Sequence, residues 1–244
     1  MKTKIITVSN QKGGVGKTTT AKNIAYLLST LQKRTLIIDF DPQCNVTKDF
    51  IEDEPEKTIE DILCGATPQD CVHKTNYEHL DLLAGSQRLE LLDYGNFSLA
   101  NLIKHLTSYD YIIVDTSPYF NRLVAEALSI SDLTIIPVTP DTDAIEGLFI
   151  TINELKEINS HKNFKYKILL SKVEKDSYST SMVKELKEAL GKTVLTNYIR
   201  YNSSPVRRAR ALGVPVAFKY PKSKVAIDYV AVMTEIMEEL NYGK

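Results

Sequence analysis

The chain reads Ser9-Asn10-Gln11-Lys12-Gly13-Gly14-Val15-Gly16-Lys17-Thr18-Thr19 between a β-branched stretch, Lys4 to Ser9, and a helical pattern. In that pattern Ala21, Ile24, Ala25, Leu28 and Leu31 keep one face. Glycines let a backbone turn tightly and aim successive N–H groups at one anion, and the N-terminus of the following helix adds the positive end of its dipole. Strand, glycine loop and helix in that order predict a cradle for a polyphosphate, lined by Gln11, Lys12, Gly13, Gly14, Val15, Gly16, Lys17, Thr18 and Thr19. Lys17 is expected to reach the β- and γ-phosphates, the Thr18 hydroxyl to ligate Mg²⁺, and Thr19 to contact the α-phosphate.

Outward from the loop, short β-branched runs recur at Thr35 to Asp39, Leu80 to Leu83, Tyr111 to Asp115, Leu133 to Val138 and Tyr166 to Leu170. Several are continuously apolar instead of alternating, as strands buried on both faces of a parallel sheet must be. Helical patterns fall between them, for example Ile145, Leu148, Ile152 and Leu155 on one face. The fold class predicted is α/β: a doubly wound, mostly parallel sheet with helices on both faces. Without a Gly/Ser/Pro-rich linker or repeat to divide it, the chain reads as a single domain over residues 1–244.

Composition narrows the function classes. A net charge of -1 excludes binding of nucleic acid through an overall basic field, so any such contact has to be a local patch. Cys44, Cys64 and Cys71 fit neither a disulfide framework nor a zinc-ligand spacing. The N-terminus carries no signal-peptide pattern, and no apolar run approaches the roughly 20 residues that span a bilayer. A cytoplasmic protein is expected.

Two further segments supply carboxylates. Leu36-Ile37-Ile38-Asp39-Phe40-Asp41 ends the second strand, placing Asp39 and Asp41 at the carboxyl edge of the sheet where ligands of open α/β sheets sit. Tyr111-Ile112-Ile113-Val114-Asp115 is an apolar strand ending in a carboxylate, the pattern of a Walker B element, so Asp115 is expected on the metal side.

The loop departs from the strict Walker pattern: Gln11 stands where glycine is called for, and a second lysine, Lys12, precedes the paired glycines. In this it resembles the deviant Walker A ATPases of the ParA/MinD family, as do DPQCN from Asp41, IIPVTPD before the Ile145 helix and VAFKYPKSKVAIDY near the end. The resemblance implies an ATP- and Mg²⁺-dependent ATPase that forms a homodimer with ATP, Lys12 reaching the partner's nucleotide. By the same resemblance Asp41 orients the attacking water, Asp39 supports the metal and the switch segment, and Glu146 lies at the dimer interface. It also implies a cytoplasmic, nucleoid-associated protein that partitions plasmid or chromosomal DNA with a ParB-like centromere-binding protein.

Arg200, Arg207, Arg208, Arg210, Lys219, Lys222 and Lys224 follow one another without an intervening Asp or Glu. Such a run is expected to contact the backbone of double-stranded DNA without reading sequence, since phosphate contacts dominate nonspecific affinity. The rival within the same family is a MinD-like positioning ATPase at a membrane or on a protein cargo. Against the membrane stands the last helix, in which Ala226, Tyr229, Met233, Ile236 and Leu240 share one face and Asp228, Glu235, Glu238 and Glu239 are expected to form an outer face that anionic lipid repels. An iron–sulfur electron carrier is excluded by cysteines that all precede the Walker B strand.

Overall fold

The computed structural model describes residues 2–89, 91, 95, 97–159 and 164–241, and not the side chains of residues 142–144 and 146, so Glu146 lies outside the described side chains. In chain order the elements are β1 (Lys4–Val8), α1 (Lys17–Thr30), β2 (Thr35–Phe40), α2 (Asn45–Phe50), α3 (Ile59–Leu63), β3 (Val72–Lys74), β4 (Leu80–Leu83), α4 (Leu99–Lys104), β5 (Tyr111–Thr116), α5 (Arg122–Ile130), β6 (Leu133–Val138), α6 (Thr142–Ile158), β7 (Tyr166–Leu170), α7 (Ser177–Leu190), α8 (Ser203–Ala211), α9 (Val216–Lys219) and α10 (Lys224–Asn241).

Seven strands form one sheet in the order β3-β4-β2-β5-β1-β6-β7. All neighbours run parallel except the edge pair β3 and β4, which are antiparallel. The six apolar runs seen in the sequence are β1, β2, β4, β5, β6 and β7. The seventh strand was not expected: Val72-His73-Lys74 is three residues long, two of them polar, and pairs only as an edge. Short, charged edge strands also protect a sheet from pairing with other chains.

Alternation along the central strands sorts their side chains between two cores. Ile6, Ile37 and Ile113 pack under α1 and α10 with Ile24, Leu28, Tyr229 and Ile236. Leu36, Ile38, Ile112 and Val114 turn to the other face, against Ile59, Leu99, Leu102 and Leu123. A third cluster covers β6 and β7 with Leu148, Ile152 and Leu155 of α6. Helices therefore cover both faces, the doubly wound arrangement expected, and the carboxyl ends of β1, β2 and β5 meet at the middle of the sheet.

That meeting point is set by register. Val8, Asp115 and Asp39 stand beside one another across β1, β5 and β2, so the residue that leads into the glycine loop and two of the predicted carboxylates share one level. A reversal of strand order at this place opens the crevice in which α/β sheets bind ligands.

Candidate nucleotide site

The loop between β1 and α1 takes the shape its glycines permit. Gly14 and Gly16 have φ of +77° and +100°, in the left-handed region that L side chains rarely adopt, and Gly16 is the N-cap of α1. Gly16 also has Ser171 Oγ only 3.2 Å from where a Cβ would sit. The entry to the loop is fastened to the sheet and to α6. Asn10 Nδ2 donates to the Pro137 carbonyl at 2.8 Å, the Lys12 N–H donates to Asn10 Oδ1 at 2.8 Å, and Gln11 bonds through its side chain to Glu154. Gln11 is thus an anchor to α6, which explains how a residue other than glycine serves there.

Lys17 is 7% exposed, and its ammonium donates to the Lys12 carbonyl at 3.1 Å, curled over the loop where a phosphate chain would lie. Burial lowers its pKa, while Asp115 and Asp41 favour the charged form. Asp115 is fully buried. Both its oxygens are buried without a hydrogen-bond partner among the described residues. Burial, then the Asp39 charge, hold its pKa well above the ordinary carboxylate range, with the Thr18 hydroxyl and Lys17 pulling the other way. Two buried carboxylate oxygens beside a Thr hydroxyl fit a hard divalent cation, whose charge would remove that cost.

Asp39 and Asp41, two residues apart, are used differently. Asp39 is fully buried, and its oxygens accept from the Asp41 N–H at 3.2 Å, the Thr47 N–H at 2.9 Å and Thr47 Oγ1 at 2.8 Å. Burial raises its pKa to about 6 against those hydrogen bonds, which lower it. Its carboxylate pins the turn into α2. Asp41, beyond the strand, lines the cavity and, among the described residues, accepts from the Gln43 N–H alone, at 2.9 Å, leaving acceptor capacity on the cavity side. Cys44 closes the turn with φ of +52°, a left-handed residue where glycine has no steric cost.

The cavity, of about 420 Å³, runs from Gly13, Gly14 and Gly16 past Lys17, Thr18, Thr19 and Asp41 to Val206, Arg210, Val214 and Val216. Its far end was not read from the sequence. Lys172, left-handed at φ of +55°, donates from Nζ to the Gly14 carbonyl at 2.5 Å, and Lys22 pairs with Asp49 of α2. The one available signal was Ser171-Lys172-Val173 at the carboxyl end of a parallel strand. Lys12 lies on the other side of the loop, paired with Asp141 at 2.7 Å and packed at 3.3 Å from where a Cβ on Gly147 would be.

The basic run splits in three dimensions. Arg200 Nε and Nη2 both donate to the Asp228 carboxylate, at 2.9 and 2.6 Å, so this partly exposed arginine is tied to α10. Arg210 faces the nucleotide cavity. Arg207, Arg208, Lys219, Lys222 and Lys224 are exposed, and none of the five forms an ion pair among the described residues.

The acidic outer face expected of α10 is not there. Asp228 pairs with Arg200, Glu239 with Lys167 at 2.6 Å, and Glu235 accepts from the Thr196 and Asn197 N–H groups. Only Glu238 points outward, in a stripe with Lys224, Ile227, Val230 and Thr234. The inner face is as expected, with Ala226, Tyr229, Met233, Ile236 and Leu240 buried. No described helix is long and apolar enough to cross a membrane.

Comparison with known proteins agrees with this geometry. The AAA domain family matches residues 3–168. The sporulation initiation inhibitor protein Soj of Bacillus subtilis is 32% identical over 252 residues, covering 96% of this chain and 98% of that protein. The chromosome partitioning protein ParA of Myxococcus xanthus is 31% identical, covering 96% and 88%. Among solved structures, a plasmid partition protein of Borrelia burgdorferi bound to AMPPNP superimposes with a TM-score of 0.83 at 24% identity, covering 98% of this chain and 100% of that one. A deviant phosphate loop with its second lysine, the carboxylates gathered at the ends of β2 and β5, and relatives matched along nearly their whole length make this chain a member of the ParA/MinD family of P-loop ATPases.

Proposed function

We propose that this chain is a Mg²⁺-dependent ATPase whose ATP-bound homodimer binds double-stranded DNA nonspecifically and partitions plasmid or chromosomal DNA with a ParB-like centromere-binding protein. The observation that carries the catalytic part is Asp115, a buried carboxylate with two unpartnered oxygens beside Thr18 and Lys17. Thr18 and Asp115 would hold Mg²⁺, which supplies charge neutralisation for the transferring phosphoryl group. Lys17 would hold the β- and γ-phosphates, and Asp41 would orient the attacking water, since phosphoryl transfer is governed by positioning and charge.

Support for a second copy of the chain comes from α6. Gly147 lets this helix close on Lys12, and Phe149 and Ile150 beyond it are half-exposed apolar side chains, 50% and 42% accessible. An apolar surface beside the lysine that would cross to a partner suits an interface that forms when both loops carry ATP. Support for DNA comes from Arg207, Arg208, Lys219, Lys222 and Lys224. If all five meet phosphates, log K falls with log salt by a slope of about 4 to 5 per protomer.

Light scattering on a sizing column tests the cycle. Asp41→Ala is expected to bind ATP and remain a dimer that carries random-sequence DNA, and Lys17→Ala to stay monomeric with ATP. Hydrolysis should fall by on the order of 10²–10⁴ in both. An Asp41→Ala protein that turns over ATP at the parent rate, or an ATP-loaded parent that stays monomeric, contradicts the assignment.

A further inference from the structure

The nucleotide cavity is closed at its far end by α8 and the turn that follows it. Val206 and Arg210, one helical turn apart, line it together with Val214. A triphosphate held by the glycine loop directs its nucleoside toward that end, so this wall meets the base and ribose.

The cations around the cavity differ in what they already hold. Lys22 is paired with Asp49, Lys172 donates to the Gly14 carbonyl, and Lys17 donates to the Lys12 carbonyl. The Arg210 guanidinium makes no hydrogen bond or ion pair among the described residues. A guanidinium stacks on planar rings and donates in a fixed fork, and it is more weakly hydrated than an ammonium, so covering a nucleoside costs it little solvation.

At 3.6 residues per turn, Arg208 lies about 160–200° around the helix from Val206 and Arg210. The buried Ala209 fixes the remaining face against the core. One nine-residue helix therefore places Arg210, itself exposed, along the cavity wall and Arg208 on the side away from it. Its C-terminal turn is also pressed on the switch segment: Gly213, at φ of +65°, has the Cα of Asp49 in α2 only 3.3 Å from where a Cβ would be.

We infer that Arg210 is a nucleotide-binding residue and not part of the DNA surface, and that its contact with the nucleoside holds α8, and with it the outward Arg208, in place when nucleotide is bound. This rests on the nucleotide site proposed above and adds to it the element that joins the cavity to the basic surface.

The test is made on the full chain with Mg²⁺ and a fluorescent ATP analogue, without DNA. Arg210→Ala is expected to weaken nucleotide binding by about tenfold or more, Arg210→Lys by less, and Arg208→Ala by no more than about twofold, since a lysine keeps the charge but not the planar fork. Amide hydrogen exchange over residues 203–214 should slow on nucleotide addition in the parent and in Arg208→Ala, and not in Arg210→Ala. Arg210→Gln, which keeps a polar side chain of similar reach, provides a second variant should Arg210→Ala lower the melting temperature of the free protein. Parent-like affinity in both neutral variants, or exchange over α8 that nucleotide leaves unchanged in the parent, overturns this inference alone. A parent that binds no nucleotide overturns the nucleotide site and the inference together.

Discussion

Replacing Asp115 by Asn should stabilise the free protein while removing its response to Mg²⁺. The carboxylate sits at the end of β5 with β1 on one side and β2 on the other, opposite Val8 and Asp39, and neither oxygen has a hydrogen-bond partner within bonding geometry among the described residues, the Thr18 hydroxyl being the nearest donor to act on it. A buried polar group without a partner costs about 1–3 kcal/mol and a charged one more, so the substitution removes the excess cost of the charge, taken as of similar size, and not the cost of the polar group itself. The amide keeps the shape and loses the charge that Asp39 and Asp41 oppose. A gain of about 1–3 kcal/mol raises the melting temperature of a chain of this length by roughly 2–12 °C. The sign of the pH dependence follows from the raised pKa. Stability contributed by protonated Asp115 is fully present below the ordinary carboxylate range and is lost as pH rises through the raised folded value, so the advantage of Asn is small in acid and grows toward alkaline pH. Asp39 acts in the same direction, its share present below about 3.8 and lost through about 6. Thermal melts of both proteins across pH, with and without Mg²⁺ and ATP, measure each part. An Asn variant that melts at or below the parent throughout, in the absence of nucleotide, would mean that the two oxygens are satisfied in solution and that the argument for a metal at Asp115 is wrong.

Three other substitutions probe the supports of the site. In the dimer proposed above Lys12 would leave Asp141 to reach the partner's nucleotide, and a partly exposed pair is worth about 0.2–1 kcal/mol, so Asp141→Asn should tighten ATP-driven dimerisation by up to about fivefold per protomer. Sedimentation showing an unchanged or weaker dimer would rule this out. In Gly85→Ala the new Cβ would lie 2.9 Å from the Asp39 carbonyl and 3.2 Å from its Cγ, a backbone clash that should cost about 1–3 kcal/mol in denaturant unfolding and slow hydrolysis by disturbing the turn that carries Asp41. Arg200→Ala removes a two-pronged pair with a largely buried Asp228 and should cost about 1–3 kcal/mol of stability while changing DNA affinity less than Arg208→Ala or Lys222→Ala. Fluorescence anisotropy with random duplex DNA separates these, and a larger loss of affinity for Arg200→Ala at unchanged stability would return Arg200 to the DNA surface.

What was legible in the sequence, and what was not, divides along the range of the forces involved. The glycine loop could be read because its requirements are local: Gly14 and Gly16 meet backbone angles, and Lys17 and Thr18 follow on the helix those angles open. The six buried strands could be read because a strand covered on both faces needs a continuous apolar run, and Val72-His73-Lys74 was missed because a three-residue edge strand does not. Charge was where sequence reasoning went astray, and for one physical reason. A cation's neighbours along the chain do not say which carboxylate it meets after folding: Arg200 finds Asp228 and Lys167 finds Glu239. Both pairings turn a carboxylate of α10 to a cation, and the first also ties an arginine of the basic run to that helix. Periodicity placed the buried face of α10 correctly, because burial of that face depends only on the helix repeat. It could not place the acidic side chains, which reach around the helix to donors held by β7, by the 196–197 turn and by Arg200. The same limit applies inside the site, where Asp39 and Asp41 are alike in sequence. One is held by Thr47, which returns to it from α2, and the other lines the cavity.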